Sequence, residues 1–334
     1  MTKSLVVDIG GTYSRFALIN QYFQMECKQS YLNYKFKSFI DIFQNYLSTY
    51  QQEFKSCSQC CIAVAGPVKN GNAQLTNINW HLNKEDLQQQ LAFERIELIN
   101  DFHSLGFSIP LLKKNNLLQI QAGQPTDNAM KVILGAGTGL GIALVKQQKY
   151  QIEVYPSEGG HVDFAPTNER QIELLQFLFK KYQHVSVEHL LSGHGIEHIF
   201  EFISSQKKPD QFNIEDYTSS DISGQKIIQL AMEQQDETAI EAIKLFSEIY
   251  ATYIGNVALQ ALPYGGIYIT GGIARHILPY LRDKNFLHAY KNKGRMSSLL
   301  TDIPIYYILN QNASLLGSGY YLRSENKDLQ TAQV

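Results

Sequence analysis

The sequence predicts an α/β protein built from two related lobes, on three observations. Runs of β-branched and aliphatic residues alternate with segments of helical periodicity. A glycine turn between two apolar strands occurs twice, at Gly10-Gly11-Thr12 and at Gly135-Ala136-Gly137-Thr138-Gly139-Leu140-Gly141. A length of 334 residues is also long for one core and suits two lobes of roughly 100–200 residues each.

The first hairpin is Val6-Val7-Asp8-Ile9-Gly10-Gly11-Thr12 leading into Phe16-Ala17-Leu18-Ile19. Aligned on Gly11-Thr12 and Gly137-Thr138, the Ala17-Leu18 pair falls on Ala143-Leu144 without a gap. Missing Cβ atoms let such a backbone approach a ligand closely, and its N–H groups can form an anion-binding nest. A plain tight turn is the alternative for either copy alone; the repetition, with Asp8 in one and Thr in both, favours nucleotide phosphates. Neither copy is a dinucleotide fingerprint, which opens a helix. No Gly-Lys-Ser or Gly-Lys-Thr of a P-loop occurs.

A polar, tyrosine-rich strand region follows, then Ser38-Phe39-Ile40-Asp41, a capping box. Phe39, Ile42, Phe43, Tyr46, Leu47 and Tyr50 recur at three and four, the period of an amphipathic helix. A buried strand over 60–65 stops at Gly66-Pro67, and Asn83 caps a short helix carrying Leu87 and Leu91. Cys57-x-x-Cys60 lacks a second pair and a nearby histidine, so Cys27, Cys57, Cys60 and Cys61 read as reduced structural thiols rather than zinc ligands.

Arg95-Ile96-Glu97-Leu98-Ile99 alternates as a strand and ends at Asn100-Asp101-Phe102. Ligands of α/β sheets sit outside the carboxyl ends of strands, so Asn100 and Asp101 are either hydroxyl ligands or a turn and helix cap. After the second hairpin comes Glu158-Gly159-Gly160-His161-Val162-Asp163-Phe164-Ala165-Pro166. Glu158 and His161 can point into one pocket, whereas a lone Glu with a lone His is a poor zinc set. Asp163 reads as a loop stabiliser, and Glu188, before Leu190-Leu191-Ser192-Gly193, is a further carboxylate without a role of its own.

A long helix is expected over 238–262, with Ile240, Ile243, Phe246, Tyr250, Tyr253, Ile254, Val257 and Leu262 on its buried face. Ile267-Tyr268-Ile269-Thr270 is a strand running into Gly271-Gly272-Ile273, a third glycine site where a flat nucleobase can approach. A last strand at 303–309, a last helix at 313–322 and a polar tail complete the chain. With 44% hydrophobic and 18% charged residues and a net charge of −2, no disordered bias and no nucleic-acid or anionic-membrane footprint is visible. Neither a signal-peptide core nor a transmembrane run is evident, so a soluble cytoplasmic protein is expected.

Asp8-Ile9-Gly10-Gly11-Thr12, Asn100-Asp101-Phe102, the glycine run at 135–141, the nine residues from Glu158, Leu190-Leu191-Ser192-Gly193 and Gly271-Gly272-Ile273 occur in a characteristic order. In that order the chain resembles the bacterial ATP-dependent glucokinases, of the hexokinase branch of the actin-like ATPase fold, from residue 5 to about 323. The resemblance implies a two-lobed, ribonuclease H-like architecture with the active site in the interdomain cleft. It implies a small domain of 1–111 plus about 302–323, a large domain of 112–301 and a flexible tail at 324–334. It further implies glucose and ATP as substrates, Mg²⁺, and a homodimer.

By position, Asp101 resembles the catalytic base. Asn100, Glu158, His161 and Glu188 resemble sugar-hydroxyl ligands, with Thr138 and Gly139 close by. Asp8, Ile9, Gly10, Gly11 and Thr12 resemble the first phosphate motif, Asp8 orienting Mg²⁺ through water. Gly135, Gly137 and Thr138 resemble the second, and Gly271 and Gly272 the adenosine motif. Tyr13 stands where the family has Asn and His194 where it has Pro. The cysteine-rich zinc motif of the related repressor and sugar-kinase branch is missing. A kinase for mannose or fructose, or a non-catalytic actin-like ATPase or sugar sensor, remains as the alternative.

Overall fold

The computed structural model describes residues 3–75, 78–91, 93–149, 151–207 and 222–324. In chain order, β1 (Lys3–Ile9), β2 (Tyr13–Ile19) and β3 (Met25–Leu32) precede α1 (Phe39–Thr49) and the single turn α2 (Gln51–Phe54). Then come β4 (Cys57–Val64), the short β5 (Val68–Lys69), β6 (Asn72–Gln74) and β7 (His81–Asn83), α3 (Lys84–Leu91), β8 (Arg95–Asn100) and α4 (Asp101–Ser108). β9 (Leu117–Gln121), β10 (Lys131–Ala136), β11 (Leu140–Gln148) and β12 (Gln151–Ser157) lead to α5 (Glu169–Phe179), α6 (Gly193–Lys207), α7 (Gly224–Glu233) and α8 (Glu237–Ala261). The chain continues through β13 (Ile267–Thr270), α9 (Gly272–His276), α10 (Leu278–Leu281), α11 (Lys284–Lys291), α12 (Ser297–Thr301), β14 (Ile305–Ile308) and α13 (Ala313–Ser324).

The chain divides into two compact units, one of Met1–Leu117, Val145–Pro156 and Leu309–Val334, the other of Leu118–Leu144 and Ser157–Ile308. Relative to the sequence expectation, the first unit also takes the far half of the β11–β12 hairpin. The reason is local packing, since Gly106 of α4 lies against Val145 and Val154.

In the first unit the sheet order is β3-β2-β1-β4-β8. β1 pairs antiparallel with β2 and parallel with β4, which pairs parallel with β8. β1 is apolar from Leu5 to Val7 and again at Ile9 because both of its faces are covered there. Leu5, Val7 and Ile9 pack with Phe39, Ile42, Phe43 and Tyr46 of α1, while Val6 faces Leu315 of α13. α1 begins as its sequence dictates, with Ser38 and Asp41 forming the reciprocal capping box. β4 shows why its cysteines are structural. Cys60 points into the α1 side with Ile62 and Val64, and Cys61 into the other with Ala63, Ile99 and Leu322. All four thiols are free, and burial pushes the Cys57 and Cys61 thiols up to about 12.

The second sheet, β12-β11-β10-β13-β14-β9, repeats that plan. Its β10 carries a hairpin partner and a third strand on one side and two parallel strands, β13 and β14, on the other. The two glycine turns thus fall at equivalent places, β1–β2 and β10–β11. α8 forms the spine of the second core, with Phe246, Tyr250 and Ile254 fully buried. Leu262, expected on its buried face, is instead 41% exposed. It caps the helix in the left-handed region, φ 42°, and that backbone reversal turns the side chain off the apolar stripe. The last strand is shorter than expected, and the tail beyond Ser324 lies outside the described residues. No described helix is long and apolar enough to cross a membrane.

α4 and α13 cross in unusually close contact. A Cβ on Gly317 would stand 1.7 Å from the Ser104 carbonyl oxygen, and Ser104 Oγ meets Ser318 Oγ at 2.9 Å. Gly317→Ala forces the helices apart, an overpacking cost of about 1–3 kcal/mol or more. Thermal unfolding should show a lowered Tm; an unchanged Tm would mean the crossing is not held closed.

Candidate functional site

In the first unit the candidate residues collect at the carboxyl ends of parallel strands, the edge where α/β sheets bind ligands. Ile9, Val64 and Asn100 lie in one row across β1, β4 and β8. Asp8, 6% exposed, precedes the turn, which closes through Gly10 N–H donating to Tyr13 O at 2.9 Å. β1–β2 register sets Asp8 opposite Arg15, and Arg15 Nη2 pairs with Asp8 Oδ2. A buried carboxylate requires such a partner.

At the β8 edge, Asn100 is the N-cap of α4. Its Oδ1 accepts from Phe102 N at 2.9 Å and His103 N at 3.2 Å, and its Nδ2 donates to Gly66 O at 3.0 Å. The cap reading of Asn100 is therefore present in the structure, and an amide has two N–H donors. Asp101 is the first helical residue, its Oδ1 accepting from Phe102 N at 3.0 Å. The helix N-terminus favours negative charge there.

In the second unit β10 ends in the other turn, closed by Gly137 N–H donating to Gly139 O at 2.8 Å. Gly193 N–H donates to Gly137 O at 2.9 Å, so the Leu190-Leu191-Ser192-Gly193 motif buttresses the turn from behind. Gly135 pairs with Thr270 across β10 and β13, which sets Gly271 beside this turn. Gly271 adopts φ +98°, and a Cβ there would stand 2.4 Å from Ala136 O. Only glycine fits that position.

Glu158, His161 and Glu188 come together in this unit. His161 Nε2 lies 3.9 Å from Glu158 Oε2, and its Nδ1 lies 4.0 Å from Glu188 Oε1. Gly159–His161 forms one 3-10 turn, and that turn puts the Glu158 and His161 side chains on one side. Tyr253 of α8 donates its hydroxyl to Gly159 O at 2.8 Å and fixes the turn. Phe164 N–H to Val185 O and Val187 N–H to Val162 O, both 2.9 Å, lace this loop to the segment carrying Glu188. Asp163 stabilises the same loop, pairing with His184 at 2.9 Å. Glu188 also accepts from Leu140 N at 2.7 Å, a charge-assisted bond that ties it to the glycine turn. Among the described residues no group of three His, Cys, Asp or Glu side chains could hold a metal ion.

Three residues here escaped the sequence reading. Arg15 had a readable signal, because opposite charges flanking a hairpin turn pair across it. Tyr253 was placed only as core, and nothing in a helical stripe announces that its hydroxyl reaches a loop. His198 is the third. Its Nδ1–H donates to His189 O at 2.8 Å, so Nε2 accepts from Tyr182 OH at 2.9 Å. Tyr182 in turn stacks on His189, centroids 4.3 Å apart, and this network backs the 3-10 turn Val187–His189 that carries Glu188.

Backbone-lined turns suit phosphates, and a carboxylate–imidazole cluster suits a polyol, so the class these features define is that of the sugar kinases. A family model described as Glucokinase matches residues 5–325. A glucokinase of Nostoc punctiforme is 39% identical over 337 residues, covering 95% of this chain and 98% of its own. The crystal structure of a glucokinase from an Antarctic psychrotroph superposes with a TM-score of 0.81 at 30% identity, covering 97% of this chain and all of its own. A glucokinase from Balamuthia mandrillaris in complex with glucose shares the fold, with a TM-score of 0.79, 18% identity and coverage of 96% and 93%. The chain belongs to the glucokinase family, whose reaction is ATP-dependent phosphorylation of glucose.

Burial holds the His198 and His189 imidazoles below their ordinary value of 6.5. The folded state then binds fewer protons than the unfolded chain around that pH. This contribution to stability is present above about 6.5 and is lost as pH falls below it. Tm measured from about pH 8 to about pH 5.5 should drop on the acid side, and His198→Gln should flatten the drop. An equal acid slope in the variant would assign the effect to other groups.

Proposed function

We propose that this chain transfers the γ-phosphoryl group of ATP to the 6-hydroxyl of D-glucose, giving glucose 6-phosphate and ADP. The observation that carries the reading is the grouping of Glu158, His161 and Glu188 within 4.0 Å contacts, directly bonded to a glycine turn through Leu140 N. Two carboxylates accept from neighbouring hydroxyls, while an imidazole both accepts and donates, a donor set that suits a polyol. Asn100 of the first unit contributes an amide N–H to the sugar in this reading, and Thr138 and Gly139 of the second are further sugar contacts. A site of this kind rejects a sugar lacking a partnered hydroxyl by roughly 10⁴ or more.

Asp101 is the general base in this reading. It accepts the 6-hydroxyl proton as that oxygen attacks phosphorus, a contribution typically of about 10²–10⁴ in rate. The turn at Gly10, Gly11 and Thr12, through the N–H groups of Gly11 and Thr12, and the turn at Gly135, Gly137 and Thr138 hold the phosphates in this reading, the Gly10 and Gly137 N–H groups closing their own turns. Gly271 and Gly272 let the adenosine approach the backbone. Phosphoryl transfer asks for positioning and charge stabilisation more than for covalent help, and fixed backbone donors supply both without reorganising.

The donor chemistry of the first turn fits Mg²⁺, which keeps most of its waters and takes one or two carboxylates with substrate phosphates. Arg15 engages Asp8 through Oδ2, and Asp8 would hold the hydrated ion through water. Bound there, Mg²⁺ would offset charge on the phosphate oxygens. The finer fold class in this reading is the two-lobed actin-like ATPase architecture, which the shared order of the two sheets supports. The chain acts in the cytoplasm as a homodimer in the same reading.

A coupled ADP assay with glucose, mannose, fructose, N-acetylglucosamine and no sugar tests the substrate. Turnover should depend on glucose; preference for mannose or fructose would reassign the acceptor, and sugar-independent turnover would favour an ATPase switch. Asp101→Asn should lower kcat by about two orders or more while calorimetry still detects glucose binding. Retained turnover would remove Asp101 as base. Glu158→Gln should weaken glucose binding far more than ATP binding, and the opposite split would mean the pockets are exchanged.

A further inference from the structure

Asn33 lies just past the end of β3, 2% exposed, and reaches the first glycine turn from a distant part of the chain. Its Nδ2 donates to Gly10 O at 2.8 Å and to Gly11 O at 3.3 Å. Its backbone N–H donates to Thr12 O at 3.0 Å. Ser14 Oγ, fully buried, donates to Asn33 Oδ1 at 2.7 Å. The orientation of the amide follows from chemistry, because two carbonyl oxygens only accept and so must face the NH₂ end. One residue thereby engages three consecutive carbonyls of the turn.

Across a planar trans peptide the C=O and the following N–H point in opposite directions. Drawing the Gly10 and Gly11 carbonyls towards Asn33 turns the N–H groups of Gly11 and Thr12 the other way, outward from the turn. We infer that Asn33 is a positioning residue for ATP, holding the first turn in the conformation that presents these N–H groups to the phosphates. The neighbouring Tyr13 is 50% exposed. Ser14 acts one step behind, fixing which end of the amide faces the turn. The inference rests on the phosphate role proposed above for this turn.

Asn33→Asp is the decisive variant. It keeps an acceptor for Ser14 but sets a carboxylate oxygen against two carbonyl oxygens, so the turn must open. KM for ATP should rise about tenfold or more with KM for glucose unchanged, and calorimetry with ADP alone should show a matching loss of affinity. Ser14→Ala should shift both readouts in the same direction by less. A folded Asn33→Asp protein with unaltered ATP and ADP affinity, or with both KM values raised together, overturns the inference. Should Asn33→Asp fail to fold, Ser14→Ala decides alone: weakened ADP binding supports the inference and unaltered binding refutes it. If wild-type protein released no ADP with glucose, the proposed reaction would fail, whereas the ADP titrations would still judge Asn33.

Discussion

A turn offers its N–H groups in a fixed direction when its carbonyl groups are held from behind, and both glycine turns of this chain have carbonyls held by named partners. At the first, Asn33 takes the Gly10, Gly11 and Thr12 oxygens. At the second, Gly193 N takes Gly137 O and Gly137 N takes Gly139 O. Glycine supplies the permissive backbone, but the direction of the peptides is set by residues brought in from elsewhere. The turns are therefore products of tertiary structure as much as of local sequence.

The same satisfaction of backbone groups links the second glycine turn and the Glu158–His161–Glu188 cluster within the second unit. Glu188 gives one oxygen to Leu140 N, at the exit of the turn, and another towards His161. A shift of Glu188 is felt at the turn, so under the proposed roles a hydroxyl at its carboxylate and a phosphate at the turn would act on one connected set of atoms. Behind it, Tyr253 and the Tyr182–His189–His198 group hold the loops with hydroxyl and imidazole donors. Preorganisation of this kind lowers the ordering cost when substrate binds.

Much of this was legible in the sequence because it is periodic or local. The capping box at Ser38, the cap at Asn83, the apolar run of β1, the alternation of β8 and each glycine turn announce themselves within a dozen residues. The convergence of Glu158 and His161 was readable from their spacing, although the 3-10 turn that achieves it was not. What stayed hidden depends on long-range register. Asn33 reads as an ordinary loop asparagine until the β2–β3 pairing carries it to Gly10. Leu262 keeps the helical period yet leaves the stripe because the chain has already reversed. The assignment of Val145–Pro156 to the first unit follows from Gly106 packing, a contact that no pattern within the hairpin encodes.

The claim on which the account turns is transfer of a phosphoryl group to one particular oxygen of glucose. Phosphorus NMR of a reaction holding this protein, ATP, Mg²⁺ and glucose reads that bond directly. The account predicts a single new sugar phosphate, glucose 6-phosphate, appearing in step with ADP. Phosphate released only as the free ion, or a phosphorylated sugar carrying the group on another oxygen, would contradict it.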